Sequence, residues 1–206
     1  MKEVQDHYFK KAKAEGFAAR SAYKLEEIDQ KQSLFRPGFK VLDLGCFPGS
    51  WMQYTAQKIG PKGMVLGVDI QDLQLALKPN MAFIHADILE LDLERLKEFG
   101  APFDLVLSDM APKTTGHKHT DGARVLGLCE MALFASKRWL RTGGNCLIKA
   151  FHGPAFEPLL NQMKREYNKV KTFKPKSSRK ESKEVFLLGL GKHKPEESAD
   201  DDHFIG

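Results

Sequence analysis

The sequence lacks the segments that carry a protein into or across a membrane. No apolar run approaches the roughly 20 residues that a membrane span requires. The first ten residues, MKEVQDHYFK, lack the apolar core of a secretory signal. Hydrophobic residues make up 42% of the 206 residues and charged residues 29%, which is ordinary for a globular domain. We therefore expect a cytoplasmic protein without membrane association and, by default, a monomer.

Cysteine is scarce, and its spacing does not match a metal or redox motif. Cys46, Cys129 and Cys146 lie in or beside apolar segments, and no C-x-x-C pair occurs. Buried, reduced thiols are the expected state. We expect no metal site.

The stretch 40–51, KVLDLGCFPGSW, predicts a buried parallel strand, a glycine loop and the start of a helix. Such a crossing commonly binds a cofactor, because glycines let the backbone approach the ligand and the helix start presents free N–H groups. Gly45 and Gly49 are spaced G-x-x-x-G, and the G-x-G-x-x-G that surrounds a pyrophosphate is absent. The loop therefore favours a nucleoside without phosphates over a nicotinamide dinucleotide.

Apolar strand patterns alternate with helical patterns along the rest of the chain. After the first strand, strands are predicted at 64–69, 82–87, 104–109, 145–151, 169–173 and 184–190, and helices at 91–99, 122–140 and 154–167. This alternation predicts an α/β three-layer sandwich with a seven-stranded, mostly parallel sheet. The last two strands would form a hairpin, which places one antiparallel strand near the sheet edge.

We expect a single domain over residues 1–192. It includes a basic, mostly helical segment over about 1–30, and an acidic tail over 193–206 has the composition of a disordered segment.

Acidic residues end three of the predicted strands: Asp69, Asp87 and Asp109. In open α/β sheets, ligands bind beyond the carboxyl ends of the strands. Asp69 follows Gly45 at close to the offset of about 20 residues seen in dinucleotide sites, and a carboxylate there can accept hydrogen bonds from both hydroxyls of a ribose. S-adenosylmethionine fits this site, with its ribose at Asp69 and its amino acid tail near the glycine loop. We expect it as the cofactor.

Lys149 lies inside the apolar strand NCLIKAF. Burying a charged amine is costly unless it is paired, so the lysine is either partnered or reaches solvent at the strand end. Its candidate partners are Asp109, which ends a neighbouring strand, and Glu184, which begins a strand near the sheet edge. Lys24 lies within the helical pattern of the N-terminal segment, where a solvated lysine is the alternative to a functional one.

Five stretches of the chain, in order, carry a family resemblance: SAYKLEEI, VLDLGCFPGSW, SDMAP, LIKAF and SSRKESKEVF. Over residues 6–191 they resemble the FtsJ/RrmJ family, the bacterial 2′-O-ribose methyltransferases of large-subunit ribosomal RNA. The resemblance implies a Rossmann-like class I methyltransferase fold. It also implies transfer of a methyl group to a ribose, with a uridine in the A-loop of 23S-type RNA as the target in the large ribosomal subunit.

The resemblance also assigns the site residues. The K-D-K-E tetrad of the family falls on Lys24, Asp109, Lys149 and Glu184. Its methyl-donor contacts fall on Gly49, Trp51, Asp69, Asp87 and Asp109, to which the glycine loop adds Gly45. Lys149 is our candidate for the base that removes the 2′-hydroxyl proton, with Asp109 holding it; a cation that only orients the hydroxyl is the alternative.

The glycine loop departs from the family pattern. It reads GCFPGSW where the family often reads GAAPGGW, so Cys46 and Phe47 enlarge two small positions and Ser50 replaces a glycine. We expect Ser50 to cap the following helix. Donor binding should survive, and donor affinity is the property that these changes would alter.

Positive charge is concentrated towards the two ends of the chain. The net charge is +5, and the basic segments 10–20 and 171–183 adjoin Lys24 and Glu184. We expect these segments to meet beside the active site and contact RNA phosphates, while the 2′-hydroxyl itself distinguishes RNA from DNA. His117 and His119, in a polar stretch over 110–120 that predicts a loop, would touch RNA or remain solvated.

Two other classes of function remain open. A methyltransferase acting on a small molecule, a protein or a different RNA would explain the cofactor loop but not the paired lysines and basic ends. A non-catalytic RNA-binding or ribosome-assembly factor would be expected to have a broken tetrad or donor loop, and neither is broken.

Overall fold

The computed structural model describes residues 2–111, 118–178 and 182–194, with the side chains of 2–6 and 118–123 excepted. Its strands are β1 Lys40–Leu44, β2 Met64–Asp69, β3 Met81–His85, β4 Phe103–Ser108, β5 Leu140–Phe151, β6 Tyr167–Phe173 and β7 Glu184–Lys192. Its helices are α1 Lys2–Ala14, α2 Ala22–Gln32, α3 Ser50–Ile59, α4 Lys118–Trp139 and α5 Phe156–Glu166, with a 3₁₀ helix at Leu93–Phe99.

All seven strands form one sheet in the order β3-β2-β1-β4-β5-β7-β6. Strands β1 to β5 pair in parallel, and β7 runs antiparallel to both of its neighbours, β5 and β6. The predicted α/β architecture and its single antiparallel strand are therefore confirmed. The strand order reverses between β1 and β4, and this is the point at which open sheets of this kind bind ligands.

Two apolar layers pack on opposite faces of the sheet, because neighbouring strand residues point to opposite sides. On one face, α2 and α3 cover residues such as Leu105, Leu107 and Phe186. On the other, α4 and α5 cover residues such as Val106 and Leu187. These layers make the three-layer sandwich that the strand–helix alternation predicts.

Three element predictions needed correction. The predicted helix over 91–99 is a short 3₁₀ helix, begun by Asp92, whose side chain accepts from the N–H of Glu94, and ended at Gly100 with a φ of +87°. Strand β5 begins at Leu140 rather than 145. It pairs with β4 at Leu140 and again from Asn145 onwards, and the register between the two strands shifts in between. Strand β3 ends at His85, so Asp87 lies in the loop beyond it.

All three cysteines are free and buried, as predicted. Burial raises the pKa of Cys129 and of Cys146 to about 11, so both thiols stay protonated at neutral pH. Among the described residues, no helix is long and apolar enough to cross a membrane. The predictions for the loop at 112–117 with His117, for the side chain of His119 and for the tail over 195–206 lie outside the residues or side chains described.

Candidate active site

A cavity of about 670 Å³ lies beyond the carboxyl ends of the parallel strands. Its walls include Gly45 after β1, Asp69 at the end of β2, Asp87 beyond β3 and Asp109 after β4. The parallel pairing of these strands brings the three predicted acids to one place. The volume lies within the range of about 300–1,000 Å³ usual for small-molecule sites.

Backbone groups hold two of these carboxylates in place. Asp69 accepts the N–H of Phe47 at 2.8 Å on one oxygen and the N–H of Gln71 at 2.9 Å on the other. Asp87 accepts the N–H of Leu89 at 2.9 Å. A carboxylate has about four acceptor positions, so both side chains keep capacity for ligand hydroxyls.

Asp43 is a further candidate that the sequence analysis did not single out. It lies within β1, is fully buried and absent from the cavity lining, and neither carboxylate oxygen has a hydrogen-bond partner among the described residues. Burial raises its pKa, and the negative charges of Asp109 and Asp69 raise it further. An unpaired buried carboxyl group is costly unless something compensates it. The sequence signal that could have identified it is an acid inside an apolar strand, two residues before Gly45 of the glycine loop.

The glycine loop is closely packed where it turns. Gly45 and Gly49 have φ values of +73° and +108°, which favour glycine. A Cβ atom at Gly45 would lie 2.4 Å from the Cγ of Met110, and one at Gly49 would lie 2.0 Å from a methyl of Leu75. Gly45 lines the cavity, whereas Gly49 is not among the lining residues, so its donor contact stays a prediction.

Trp51 lies outside the cavity lining as well, and its side chain is engaged elsewhere. Its indole N–H donates to the carbonyl of Ser21 at 2.8 Å, and its ring lies 5.8 Å from that of Phe186. The predicted donor contact of Trp51 is not tested by this geometry. Its side chain instead supports the segment that leads into α2.

The residues that depart from the family pattern have separate environments. Cys46 is buried and absent from the cavity lining, while Phe47 lines the cavity. The predicted capping role of Ser50 is wrong: Gly49 holds the N-cap position, and Ser50 is the first residue of α3. Its hydroxyl lies 2.8 Å from that of Ser21, on the side facing the start of α2.

The four tetrad residues form two ion pairs. Lys149 on β5 lies 2.9 Å from the carboxylate of Asp109, and its ammonium donates a hydrogen bond to the backbone carbonyl of Asp109 at 2.5 Å. Lys24 on α2 lies 2.7 Å from the carboxylate of Glu184 at the start of β7. Lys149 is only 8% exposed. Strand pairing explains this arrangement, because β5 lies between β4, which leads to Asp109, and β7, which begins at Glu184.

The two ion pairs are close enough to interact, since the charge of Lys149 acts on Glu184. Phe186 is the register partner of Lys149, and its ring centre lies 5.8 Å from the ammonium of Lys24. Burial by itself would raise the pKa of Glu184. The hydrogen bond and charge of Lys24, the hydroxyl of Ser178 and the charge of Lys149 together outweigh burial and lower this pKa. Asp109 both lines the cavity and pairs with Lys149, so it joins the cavity to the tetrad.

Side chains of helix α3 form hydrogen bonds with the segment that precedes α2. Gln53 accepts the N–H of Ala18 at 2.7 Å and donates to the carbonyl of Gly16 at 3.0 Å. Together with the contacts of Ser50 and Trp51 to Ser21, these bonds tie the residues before Lys24 to the helix that follows the glycine loop.

The basic segments lie partly beside the tetrad. Lys174 donates to the backbone carbonyl of Glu184 at 2.8 Å, and Lys171 donates to the side chain of Gln32 on α2. In the N-terminal segment, Lys11 lies 4.4 Å above the ring of Tyr23 and 3.7 Å from the carboxylate of Glu15. Among the described residues, no cluster of histidine, cysteine and acidic side chains could hold a metal ion.

Comparison with known proteins identifies the family. A model of FtsJ-like methyltransferases matches residues 17–192, most of the chain. The chain belongs to the FtsJ-like methyltransferase family. The predicted family membership and the prediction of a methyltransferase are therefore confirmed.

Relatives of this FtsJ-like methyltransferase span nearly its whole length. The ribosomal RNA large subunit methyltransferase E of Bdellovibrio bacteriovorus is 54% identical over 191 residues, covering 91% of this chain and 97% of the relative. The protein of the same name from Oleidesulfovibrio alaskensis is 51% identical and covers 93% of each chain.

Solved structures show the same fold. A crystal structure from Plasmodium falciparum, described as that of a ribosomal RNA methyltransferase, superposes with a TM-score of 0.74 at 27% identity, covering 85% of this chain and 98% of the other. A chain in the crystal structure of a fibrillarin/Nop5p complex, at 16% identity and a TM-score of 0.55, covers 76% of this chain and 74% of the other, and is similar in fold alone.

Proposed function

We propose that this FtsJ-like methyltransferase transfers a methyl group from S-adenosylmethionine to the 2′-hydroxyl of a ribose in large-subunit ribosomal RNA. The observation that carries the proposal is the double position of Asp109. It lines the cavity and pairs at 2.9 Å with Lys149, so a cofactor in the cavity would lie beside a buried amine. The names of the relatives support ribosomal RNA as the substrate.

The residues around the cavity fit the proposed cofactor. The carboxylates of Asp69 and Asp87 are held by backbone N–H groups and can accept hydrogen bonds from ribose hydroxyls. When bound, S-adenosylmethionine supplies a methyl group already activated by its sulfonium.

The protein then has two tasks: to align the ribose with the methyl group and to assist removal of the 2′-hydroxyl proton. Alignment of the attacking oxygen with the methyl carbon can itself remove several kcal/mol of the barrier. Lys149 is the assigned acceptor of the 2′-hydroxyl proton, and Asp109 fixes the position of its amine. The pair of Lys24 and Glu184 lies beside it and holds α2 against β7.

The alternative role of Lys149 is that of a cation, held by the carboxylate of Asp109, that orients the hydroxyl without accepting its proton. Lys149→Arg separates the two roles, because arginine keeps the positive charge and cannot act as a base at neutral pH. We expect Lys149→Arg to be as inactive as Lys149→Ala in single-turnover assays. Substantial activity of the arginine variant would assign the orienting role.

The reaction is tested with labelled S-adenosylmethionine and large ribosomal subunits from cells that lack this methyltransferase. The RNA is digested to nucleosides after the reaction, and we expect the label in a 2′-O-methylribose, with a uridine of the A-loop as the target. Label on a base, or on protein or small molecules, would contradict the proposal. Donor binding measured by calorimetry without any transfer would instead favour a non-catalytic assembly factor.

A further inference from the structure

One face of α2 contacts the connection between β6 and β7 at two places. The first is the ion pair of Lys24 with Glu184, the residue at which the connection ends. The second is one helical turn further along, at Glu27. Residues three apart lie on the same face of a helix, so both contacts point in one direction.

At Glu27, the carboxylate accepts two hydrogen bonds from the backbone of the connection. One carboxylate oxygen accepts the N–H of Lys176 at 2.7 Å, and the other accepts the N–H of Ser177 at 2.9 Å. Each oxygen of one carboxylate thus binds one of two successive amides, and such charge-assisted hydrogen bonds are stronger than neutral ones. The contacts join residues about 150 positions apart in the chain, so they are tertiary links and not part of a local turn.

Hydrogen bonds also join the two ends of the connection. Lys174, where the connection begins, donates to the backbone carbonyls of Ser182 and Glu184, near its end. Glu184 itself is fixed by its pairing with Phe151 on β5 and by its ion pair with Lys24. Glu27 holds a different part of the connection, the backbone of Lys176 and Ser177. Removing Glu27 would release the 176–177 part of the connection while leaving the ion pair itself chemically intact.

We propose that Glu27 is a positioning residue that sets the placement of the Lys176–Ser177 part of the basic β6–β7 connection relative to α2. Glu27 does not line the cavity and touches no reacting group. It acts through the amides of Lys176 and Ser177. The connection contributes lysines to the surface beside the tetrad, so its placement governs how the RNA substrate is held, and this part of the inference rests on the proposed function.

The matched control is the adjacent acid. Glu26→Gln and Glu27→Gln remove the same charge from neighbouring positions of one helix, but of the two acids it is Glu27 that accepts the hydrogen bonds from Lys176 and Ser177. Glutamine at position 27 retains one acceptor oxygen and turns an NH₂ group towards a backbone N–H, so the two-point contact is lost.

The first measurement is amide hydrogen exchange at Lys176 and Ser177, which does not depend on any activity. We expect Glu27→Gln and Glu27→Ala to speed this exchange about tenfold or more, whereas Glu26→Gln leaves it as in the wild type. Equal exchange in the Glu26 and Glu27 variants would overturn the inference.

The second measurement separates RNA from donor. We expect Glu27→Gln to raise the KM for the RNA substrate, or lower kcat, by about tenfold, with donor affinity and thermal stability close to those of Glu26→Gln. Faster amide exchange with unchanged methyl transfer would show that the contact exists and has no positioning role, which overturns the inference. If the wild-type protein itself transfers no methyl group to RNA, the failure lies with the proposed function, and the exchange measurement still decides whether Glu27 holds the connection.

Discussion

At the scale of single residues, the site depends on which lysine meets which acid. The tetrad positions follow from the family resemblance, and the sequence analysis expected Asp109 to hold Lys149 but left the contacts of Lys24 and Glu184 unspecified. Because β5 lies between β4 and β7, both acids lie near Lys149. Lys149 pairs with Asp109, and Lys24 on α2 pairs with Glu184. Strand order is a long-range property, and no local pattern in the sequence encodes it.

Ser50 tests whether the unusual glycine loop alters donor binding. Its hydroxyl faces Ser21 and is absent from the cavity lining. We expect Ser50→Gly to lower the free energy of unfolding by about 1 kcal/mol through the lost hydrogen bond, with donor affinity changed less than about threefold. Urea denaturation and calorimetry measure the two quantities.

Phe47 is the matched comparison, because it lines the cavity. Phe47→Ala should change donor affinity more than Ser50→Gly does. A larger effect of Ser50→Gly on donor affinity would contradict this assignment of the loop.

Glu184 makes stability depend on pH in acid. Its pKa is lowered in the folded protein: burial opposes the shift, and the hydrogen bond and charge of Lys24 outweigh it. The resulting stabilisation is fully present above the unfolded glutamate pKa of about 4.3 and is lost as the pH falls through the lowered folded-state pKa. We expect the difference in unfolding free energy between wild type and Glu184→Gln to shrink as the pH is lowered from neutral through this window.

Lys24→Met provides the control for that titration. In this background the partner is absent, so Glu184→Gln should show a much smaller pH-dependent difference. A difference that stays constant down to the acid end of the titration would rule out the Lys24 pair as its source.

At the scale of elements, the strands were largely predictable and their irregularities were not. Apolar runs marked most of the strands, because strands buried on both faces carry nearly continuous hydrophobic residues, whereas the edge strand β6 is largely polar and exposed. The early start of β5 was missed because Thr142, Gly143 and Gly144 have turn composition, while in the fold they lie within a strand whose register shifts against β4. The 3₁₀ helix was missed because its short apolar pattern also fits an α-helix.

The end of α4 depends on a buried lysine of β7. The ammonium of Lys192 donates to the backbone carbonyls of Ser136, Lys137 and Leu140 at 3.1, 2.5 and 2.7 Å. Carbonyls at a helix C-terminus lack partners within the helix, so Lys192 satisfies groups that would otherwise be buried without one. We expect Lys192→Met to lower the free energy of unfolding by about 1–3 kcal/mol, measured by urea denaturation.

Lys169, exposed on the edge strand β6, is the control for that substitution. Lys169→Met removes the same charge from a neighbouring strand without exposing buried carbonyls. Equal loss of stability in the two variants would contradict the capping role of Lys192.

At the scale of the whole molecule, charge and topology bring the basic connection next to the tetrad. The net charge of +5 favours a polyanionic partner, and Lys176, exposed in the β6–β7 connection, lies close to α2. Contacts to phosphates release counterions, so RNA affinity should fall as salt rises. We expect Lys176→Ala to weaken RNA binding and to reduce the slope of log affinity against log salt by about one, measured by fluorescence anisotropy. An unchanged slope would place Lys176 outside the RNA interface.

The sequence predicted only in part that the cavity and the tetrad lie next to each other. Acids at strand ends and the glycine loop indicated a nucleoside site, because the carboxyl ends of parallel strands meet at one edge. The place of Trp51 between Ser21 and Phe186, and the isolation of Asp43, depend on how α2 and α3 pack over the sheet.

In the proposed reaction, the buried amine of Lys149 acts on a ribose beside the donor cavity. The most direct test is single-turnover transfer of a labelled methyl group to large ribosomal subunits that lack the modification, comparing wild type with Lys149→Ala. We predict that the wild type labels a ribose 2′-oxygen and that Lys149→Ala slows transfer by about 10²–10⁴-fold while retaining its fold and donor affinity. Transfer by Lys149→Ala at close to the wild-type rate would contradict the account.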